Sequence, residues 1–353
     1  MRIAQIAPLY EAVPPKFYGG TERVVHWLTA GLCELGHEVT LFASGDSDVS
    51  GTTAVLDPVW PQALRFHPVL DWGATYAIMI EHVARRAHEF DALHFHIDYW
   101  PNSVFSRLGI PFVTTMHGRL DLPLFVQVFN YFKDIPQVSI SNNQRSPVPG
   151  LNWAGTVYHG MPKDLLRPVA REGAGDAGRG YFAFLGRVAP EKRVDRAIEI
   201  AGACGMELRI AAKIDRADQE YYDREIAHLF KQPHVNYIGE INDGQKSDFL
   251  GNARALLVPI DWEEPFGLVM IEAMACGTPV IAFRRGSVPE VIDEGVTGFI
   301  VDTVEEAIAA AKKIDSIDRA GVRRRFEERF TNTRMAQDYV NIYQKLIDAK
   351  RGG

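Results

Sequence analysis

Cysteine is nearly absent. Cys33, Cys204 and Cys276 are the only three in 353 residues, widely spaced and odd in number. They build neither a disulfide framework nor a thiolate metal cluster, and they suit a reducing cytoplasm. Long apolar runs are also missing: no stretch approaches the roughly 20 residues that a helix needs to cross a bilayer. The start shows no signal-peptide pattern, because Met1-Arg2-Ile3-Ala4-Gln5-Ile6-Ala7 runs straight into a strand-like segment. Positive charge is in deficit, with 38 Lys and Arg against 45 Asp and Glu and a formal net charge of −7. That balance disfavours a nucleic-acid partner. It gives little pull toward an anionic membrane, although peripheral membrane contact stays open. No internal repeat or low-complexity tract is visible. Apolar side chains are abundant, at 46% of the chain, enough for two packed cores over this length.

Residues 264–279 organise the rest; they read Glu-Pro-Phe-Gly-Leu-Val-Met-Ile-Glu-Ala-Met-Ala-Cys-Gly-Thr-Pro. The apolar run 255–260 before them predicts a buried strand. A polar turn over 261–264 follows, and Pro265 suits a first helical turn, where no N–H is needed. The composition of 268–275 predicts a helix, Gly277 a left-handed cap, and 280–283 the next strand. A helix that starts at the carboxyl end of a strand offers free N–H groups to a phosphate. Glu264 stands at that mouth and Glu272 about two turns later. Two carboxylates so placed suit a ligand with hydroxyls on both sides of a phosphate, such as a nucleotide-sugar. Taken alone, the pair has a plainer reading: Glu264 offsets the helix dipole and Glu272 is a solvated position.

The front of the chain predicts a Rossmann-like βαβ start. Residues 3–7 read as a strand and 38–43 as its neighbour. Between them 22–35 read as a helix, with Val24, Val25, Leu28, Leu32 and Leu35 at helical spacing and Thr21 as N-cap. The Gly-x-Gly-x-x-Gly turn is lacking, so an NAD site is not indicated. Gly19-Gly20 lets backbone N–H groups approach an anion or a sugar, or simply forms a flexible turn. A helix over 75–90 leads to a strand over 91–96, where His94 and His96 share a face. That spacing suits a metal, yet no third or fourth ligand stands nearby, and packed or hydrogen-bonded imidazoles are the simpler reading. A strand over 111–118 ends in His117-Gly118, with the imidazole either facing a ligand or structural. The apolar stretch 122–132 reads as a helix, and strands are expected over 138–142 and 156–160.

Gly173, Gly175, Gly178 and Gly180 among charges mark the best linker segment. After a strand over 181–185, Gly186-Arg187-Val188-Ala189-Pro190-Glu191-Lys192 leads into a helix over 194–204. Arg187 gives a planar fork and Lys192 a point charge, which together make an oxyanion cradle or, alternatively, a solvated basic loop. Helices are expected over 221–230 and 245–253, and strands over 207–213 and 235–239. The tail 331–350 places Met335, Tyr339, Ile342, Tyr343, Leu346 and Ile347 at helical spacing, a stripe that needs an apolar partner.

Four elements occur in order: Gly-Gly-Thr-Glu, Thr-x-His-Gly, Gly-Arg-x4-Lys, and the Glu-Pro-Phe-Gly-Leu block with its second Glu. Together, over nearly the whole chain, they resemble the retaining GT-B glycosyltransferases of glycosyltransferase family 4, also called glycosyl transferases group 1. The resemblance implies an α/β fold of two Rossmann-like domains facing across a cleft, the last helix crossing back onto the N-terminal domain. It divides the chain into an acceptor domain at 1–165 completed by the helix at 331–350, a linker at 166–180, and a nucleotide-sugar donor domain at 181–330. It implies that Glu264 faces the donor sugar, that the amides of Phe266, Gly267 and Leu268 approach sugar and diphosphate, and that Glu272 holds the ribose. Arg187 and Lys192 would neutralise the leaving diphosphate, and His117 would contact the donor sugar. Gly19 and Gly20 would approach the diphosphate and acceptor, and Gly239 and Ile241 would read the nucleobase through the backbone. Lys16, Glu22, His96 and Asp98 are the acceptor-side candidates. The implied reaction moves a hexosyl unit from a nucleotide-diphosphate sugar to a hydroxyl of a saccharide or small molecule, with anomeric retention. A UDP-sugar is favoured over GDP- or ADP-sugars. No metal or other cofactor is implied, and no Asp-x-Asp pair stands in these motif stretches. An epimerase or hydrolase on the same fold, and a non-catalytic sugar-nucleotide-binding protein, are the competing expectations.

Overall fold

The computed structural model describes residues 1–16, 19–66, 71–169 and 180–351. The chain divides into two compact units: Met1–Pro162 with Phe330–Gly353, and Lys163–Arg329. Of the linker expected over 166–180, residues 170–179 lie outside the described residues.

The first unit is built on one parallel sheet. Its strands are β1 (Arg2–Ile6), β2 (Glu38–Ser44), β3 (Val55–Trp60), β4 (Ala92–Phe95), β5 (Phe112–Thr115), β6 (Gln137–Ser139) and β7 (Trp153–Thr156). Their spatial order is β3-β2-β1-β4-β5-β6-β7, which reverses direction between β1 and β4. Covered on both faces, such strands read as nearly continuous apolar runs, as Ile3, Ala4, Ile6, Leu93, Phe95 and Val113 do at full burial. Gln5, His94, Thr114 and Thr115 are just as buried and break that rule. The helices are α1 (Gly20–Glu34), α2 (Trp72–Arg86), α3 (Asn102–Leu108) and α4 (Pro123–Tyr131), joined by the C-terminal helix Asn332–Arg351.

Several boundaries differ from expectation for local reasons. α1 begins at Gly20 with Gly19 as its N-cap, and no side chain caps it; Thr21 lies inside the first turn. β3 carries Pro58 and Asp57 on the sheet edge, where a missing N–H is tolerated, so its sequence does not look like a strand. α3 is only 7 residues long and closes on Gly109 at φ 68°. β7 ends at Thr156 rather than beginning there. Beyond it the chain passes close to the C-terminal segment: a Cβ on Gly160 would lie 2.1 Å from the Thr331 carbonyl oxygen.

The second unit repeats the plan with β8 (Phe182–Arg187), β9 (Leu208–Lys213), β10 (Val235–Gly239), β11 (Ala255–Val258), β12 (Val280–Phe283) and β13 (Gly298–Val301). All pairs are parallel, in the order β10-β9-β8-β11-β12-β13, with the reversal between β8 and β11. Its helices are α5 (Val194–Ala203), α6 (Gln219–Tyr221), α7 (Asp243–Gly251), α8 (Leu268–Ala275), α9 (Val288–Val291), α10 (Val304–Lys312) and α11 (Arg319–Arg329). The helix expected over 221–230 is broken: α6 passes into a π-helical turn, Tyr222–Ile226, in which Ile226 alone is buried. α7 opens with a reciprocal cap between Asn242 and Gln245. Pro265 lies before α8, not in its first turn, because Gly267 takes the N-cap in a left-handed conformation at φ 80°. At the other end Gly277, at φ 68°, closes α8 as expected.

The C-terminal helix packs on α1 at close range. A Cβ on Gly31 would lie 2.8 Å from the Asn332 carbonyl oxygen and 3.0 Å from the Ala336 Cβ. Gly31→Val therefore forces two backbones apart. We expect it to destabilise the protein by about 1–3 kcal/mol, the usual cost of overpacking, read as a lower urea midpoint; an unchanged midpoint would contradict the packing.

Candidate active site

In the second unit the motif residues gather beyond the carboxyl ends of β8 and β11. Lys192 Nζ forms an ion pair with Glu264 Oε2. The Trp262 indole N–H donates to the same oxygen at 3.2 Å, and Lys192 lies over the Trp262 ring, 4.9 Å from its centroid. Arg187 is held by Glu191 at 2.6 Å and by Asp218 at 3.0 Å. Lys192 and Glu264 thus form one charged pair, and Arg187 stands at the end of β8 between Glu191 and Asp218, each cation already seated on a carboxylate.

The loop bearing Glu264 is tied from behind. The Gly286 N–H donates to Glu263 Oε2 at 2.8 Å, the Ser287 N–H to the Glu264 carbonyl at 2.9 Å, and the Ser287 hydroxyl to the Phe266 carbonyl at 2.7 Å. Gly286 admits this approach: its Cβ would stand 2.3 Å from the Glu264 carbonyl oxygen. Phe266 is buried, and Gly267 and Leu268 open α8. Glu272 is not solvated. At 4% exposure it pairs with Lys246 at 2.6 Å, and Lys246 reaches Asp243 at 3.1 Å. Gly239, at φ 78°, ends β10, and Ile241 follows in the loop to α7.

In the first unit the strand ends carry four imidazoles. His96 bonds through Nδ1 to His117 Nε2 and through Nε2 to Gln5 Oε1, both at 2.8 Å. His94 is bonded on both nitrogens, to the Tyr343 hydroxyl at 2.6 Å and to Thr115 Oγ1 at 2.7 Å. The His117 ring stacks on His159, centroids 5.3 Å apart and planes 18° apart. Burial pushes His94, His96 and His159 well below the ordinary imidazole range, and His117 down to about 3. All four are neutral at pH 7.

The other acceptor-side candidates lie in loops and at the start of α1. A Cβ on Gly19 would meet the Pro15 ring at 2.8 Å and Glu22 Oε2 at 3.3 Å, so these two positions touch. Gly20 is the first residue of α1, and Lys16 is exposed. Burial raises the Asp98 carboxyl to about 6, on a residue held at φ 50°. Burial raises Glu22 to about 7, and the neighbouring Glu11 charge adds to the rise.

Among the described residues no group of three or more His, Cys, Asp or Glu has the arrangement of a metal site, and no helix is long and apolar enough to cross a membrane. An Asp-x-Asp pattern does occur, at Asp46 and Asp48, but both carboxylates hold backbone: Asp46 accepts from the Ala63 N–H, 17 residues on, at 3.0 Å, and Asp48 from the Ser50 N–H of its own turn at 2.7 Å. Gln5, Trp262, Asp218 and Lys246 belong to no motif, and nothing in their sequence surroundings marks them.

Two parallel sheets of Rossmann strand order with a C-terminal helix define a GT-B glycosyltransferase fold, and solved structures of that class match along nearly the whole chain. Residues 170–332 match the family Glycosyl transferases group 1, and residues 18–149 match Glycosyltransferase Family 4. The chain belongs to this glycosyltransferase family. It is 30% identical over 168 residues to a probable sucrose-phosphate synthase of Thermosipho melanesiensis, a match covering 45% of this chain and 40% of that enzyme. It is 27% identical over 363 residues to a phosphatidyl-myo-inositol mannosyltransferase of Mycolicibacterium smegmatis, covering 93% of this chain and 89% of the other. The structure of Anabaena HepE in complex with UDP-glucose is similar over 100% of both chains, with a TM-score of 0.73 and 17% identity.

Glu22 gives the first unit a pH dependence whose sign is definite. Its folded value of about 7 lies above the ordinary 4.5, so the folded chain holds the proton more tightly than the unfolded chain. The penalty is absent below 4.5, grows as pH rises to about 7, and stays constant above that. Glu22→Gln carries no such penalty. Urea midpoints of the variant and the parent should diverge in the variant's favour between pH 4 and pH 8; parallel curves would refute the assignment.

Proposed function

We propose that this chain is a retaining, metal-independent glycosyltransferase that moves a hexosyl unit from a UDP-sugar to a hydroxyl of a saccharide or small-molecule acceptor. The observation that carries the reading is the Lys192–Glu264 pair beside the start of α8, with Arg187 at the end of β8. When a sugar leaves a nucleotide diphosphate, negative charge grows on the departing phosphate oxygens. Two cations and free helix-start amides, already in place, stabilise that charge without reorganising water. The carboxylates now holding Arg187 and Lys192 keep both cations ordered, and a diphosphate competes for them with more charge. Glu264, released from Lys192, accepts hydrogen bonds from sugar hydroxyls. Glu272 takes the ribose, with Lys246 setting its position. The departing phosphate serves as the base for the acceptor hydroxyl, which is front-face attack with retention. The UDP preference draws on the UDP-glucose held by HepE.

The test is nucleotide release and mass-spectrometric product detection with UDP-, GDP- and ADP-sugars, a pooled acceptor extract and EDTA. Turnover with a UDP-sugar and an α-linked product from an α-linked donor is expected. Arg187→Ala and Lys192→Ala should each lower kcat by about 10²–10³, the usual cost of removing one charge-stabilising group. Loss of activity in EDTA would overturn metal independence. Inversion of the anomer would overturn retention, and binding without turnover would favour a silent binding protein.

A further inference from the structure

The hydrogen bonds around His117 have a direction. Tyr343 Oη lies 2.6 Å from His94 Nδ1 and 3.1 Å from Gln5 Nε2. The first distance suits a phenol O–H donating to a ring nitrogen. The second is the length of an N–H···O bond, longer than the 2.7–2.8 Å usual for O–H···O. The Gln5 amide therefore turns its NH₂ to Tyr343 and its carbonyl oxygen to His96, where 2.8 Å to Nε2 is again an N–H···O distance. With its proton on Nε2, His96 has only a lone pair on Nδ1. The 2.8 Å contact from there to His117 Nε2 then requires the proton on His117 Nε2. What remains is the His117 Nδ1 lone pair, which meets no hydrogen-bond partner among the described residues.

We propose that Gln5 is a positioning residue: through His96 it holds His117 as the neutral Nε2–H tautomer, with Nδ1 as an acceptor for a hydroxyl of the bound sugar. The proposal rests on the glycosyltransferase reading for its ligand, and on bond geometry alone for its tautomer. The ring plane is held as well, by the stack on His159, whose carbonyl accepts from Arg334 of the C-terminal helix at 3.0 Å. Gln5 is placed to do this because it sits on β1, beside β4, and Tyr343 reaches it from the C-terminal helix. A lone pair so fixed accepts a hydroxyl proton and turns away a carboxylate or a phosphate. The contact selects sugar hydroxyls without contributing charge.

Histidine-selective ¹⁵N labelling of the full chain tests this directly, since two-bond correlations separate pyrrole-type from pyridine-type ring nitrogens. The His117 signals are identified by their loss in His117→Asn. At pH 7.5, without added ligand, Nε2 should be pyrrole-type and Nδ1 pyridine-type. An Nδ1–H tautomer or an imidazolium overturns the proposal. Gln5→Leu should mix the two tautomers at His117, since the amide that sets the His96 proton is gone. A folded Gln5→Leu variant with the parental His117 pattern overturns the role of Gln5. If that variant does not fold, Tyr343→Phe replaces it: losing one oxygen unpins the amide and should also mix the tautomers, and an unchanged pattern there counts against the proposal equally. The expected tautomer in a chain that transfers sugar from no donor would sink the proposed function and leave the relay standing.

Discussion

The ion pair between Lys192 and Glu264 is the contact on which the second unit's site depends. It joins the segment after β8 to the segment after β11, the two adjacent strands where the sheet order reverses. At such a reversal the connections leave in opposite directions and open a crevice at the strand ends. A charged pair laid across it holds both edges in register. Trp262 stiffens the pair from the side, donating its N–H to the carboxylate and offering its ring to the ammonium. The Gly286-Ser287 turn fixes the backbone beneath. Glu264 therefore stands in a defined place although it lies on a loop.

The first unit solves a similar placement with neutral groups. Gln5 lies on β1, His96 follows β4 and His117 follows β5, next to that sheet's own reversal. Here burial is deeper, and charge would be costly. Four imidazoles packed this closely, three of them buried, cannot all be protonated, so they are neutral and exchange hydrogen bonds. Charge is concentrated in the second unit, around Lys192 and Glu264, and neutral polarity in the first, around His96 and His117. The two units share a topology and differ in electrostatics.

How much of this is legible in the sequence varies with the distance between partners. The limits of α8 and β12 were readable to the residue, because apolar runs bounded by Gly and Pro are a local signal. Helix starts were less so. Thr21 is a good cap and Pro265 a good first-turn residue by type, yet Gly19 and Gly267 hold the caps: Gly267 stands at φ 80°, which glycine adopts freely, and a Cβ on Gly19 would meet the Pro15 ring at 2.8 Å. Arg187, Lys192, Glu264 and His117 stand out by motif. Gln5 does not: one amide inside an apolar strand looks like ordinary alternation, and its partners His96 and Tyr343 are 91 and 338 positions away. The reading of Glu272 as a solvated helix position fails for the same reason, because Lys246, 26 residues earlier, becomes its partner only through the fold.

The C-terminal helix shows what a hydrophobic stripe conceals. Met335, Tyr339, Ile342 and Tyr343 read as one apolar face, and they are buried as that reading requires. Phenylalanine would serve equally for packing at 339 and 343. Tyrosine is needed because the helix covers strands that carry buried polar side chains. The Tyr343 hydroxyl joins His94 to Gln5, and the Tyr339 hydroxyl lies 2.9 Å from Thr115 Oγ1. Without those two oxygens, His94 and Gln5 would each lose a partner in a place water does not reach, which costs more than a surface hydrogen bond contributes. The same helix that completes the core of the first unit thus completes its polar network. The close approach at Gly31 that seats the helix on α1 is therefore also a condition for holding His117 in place.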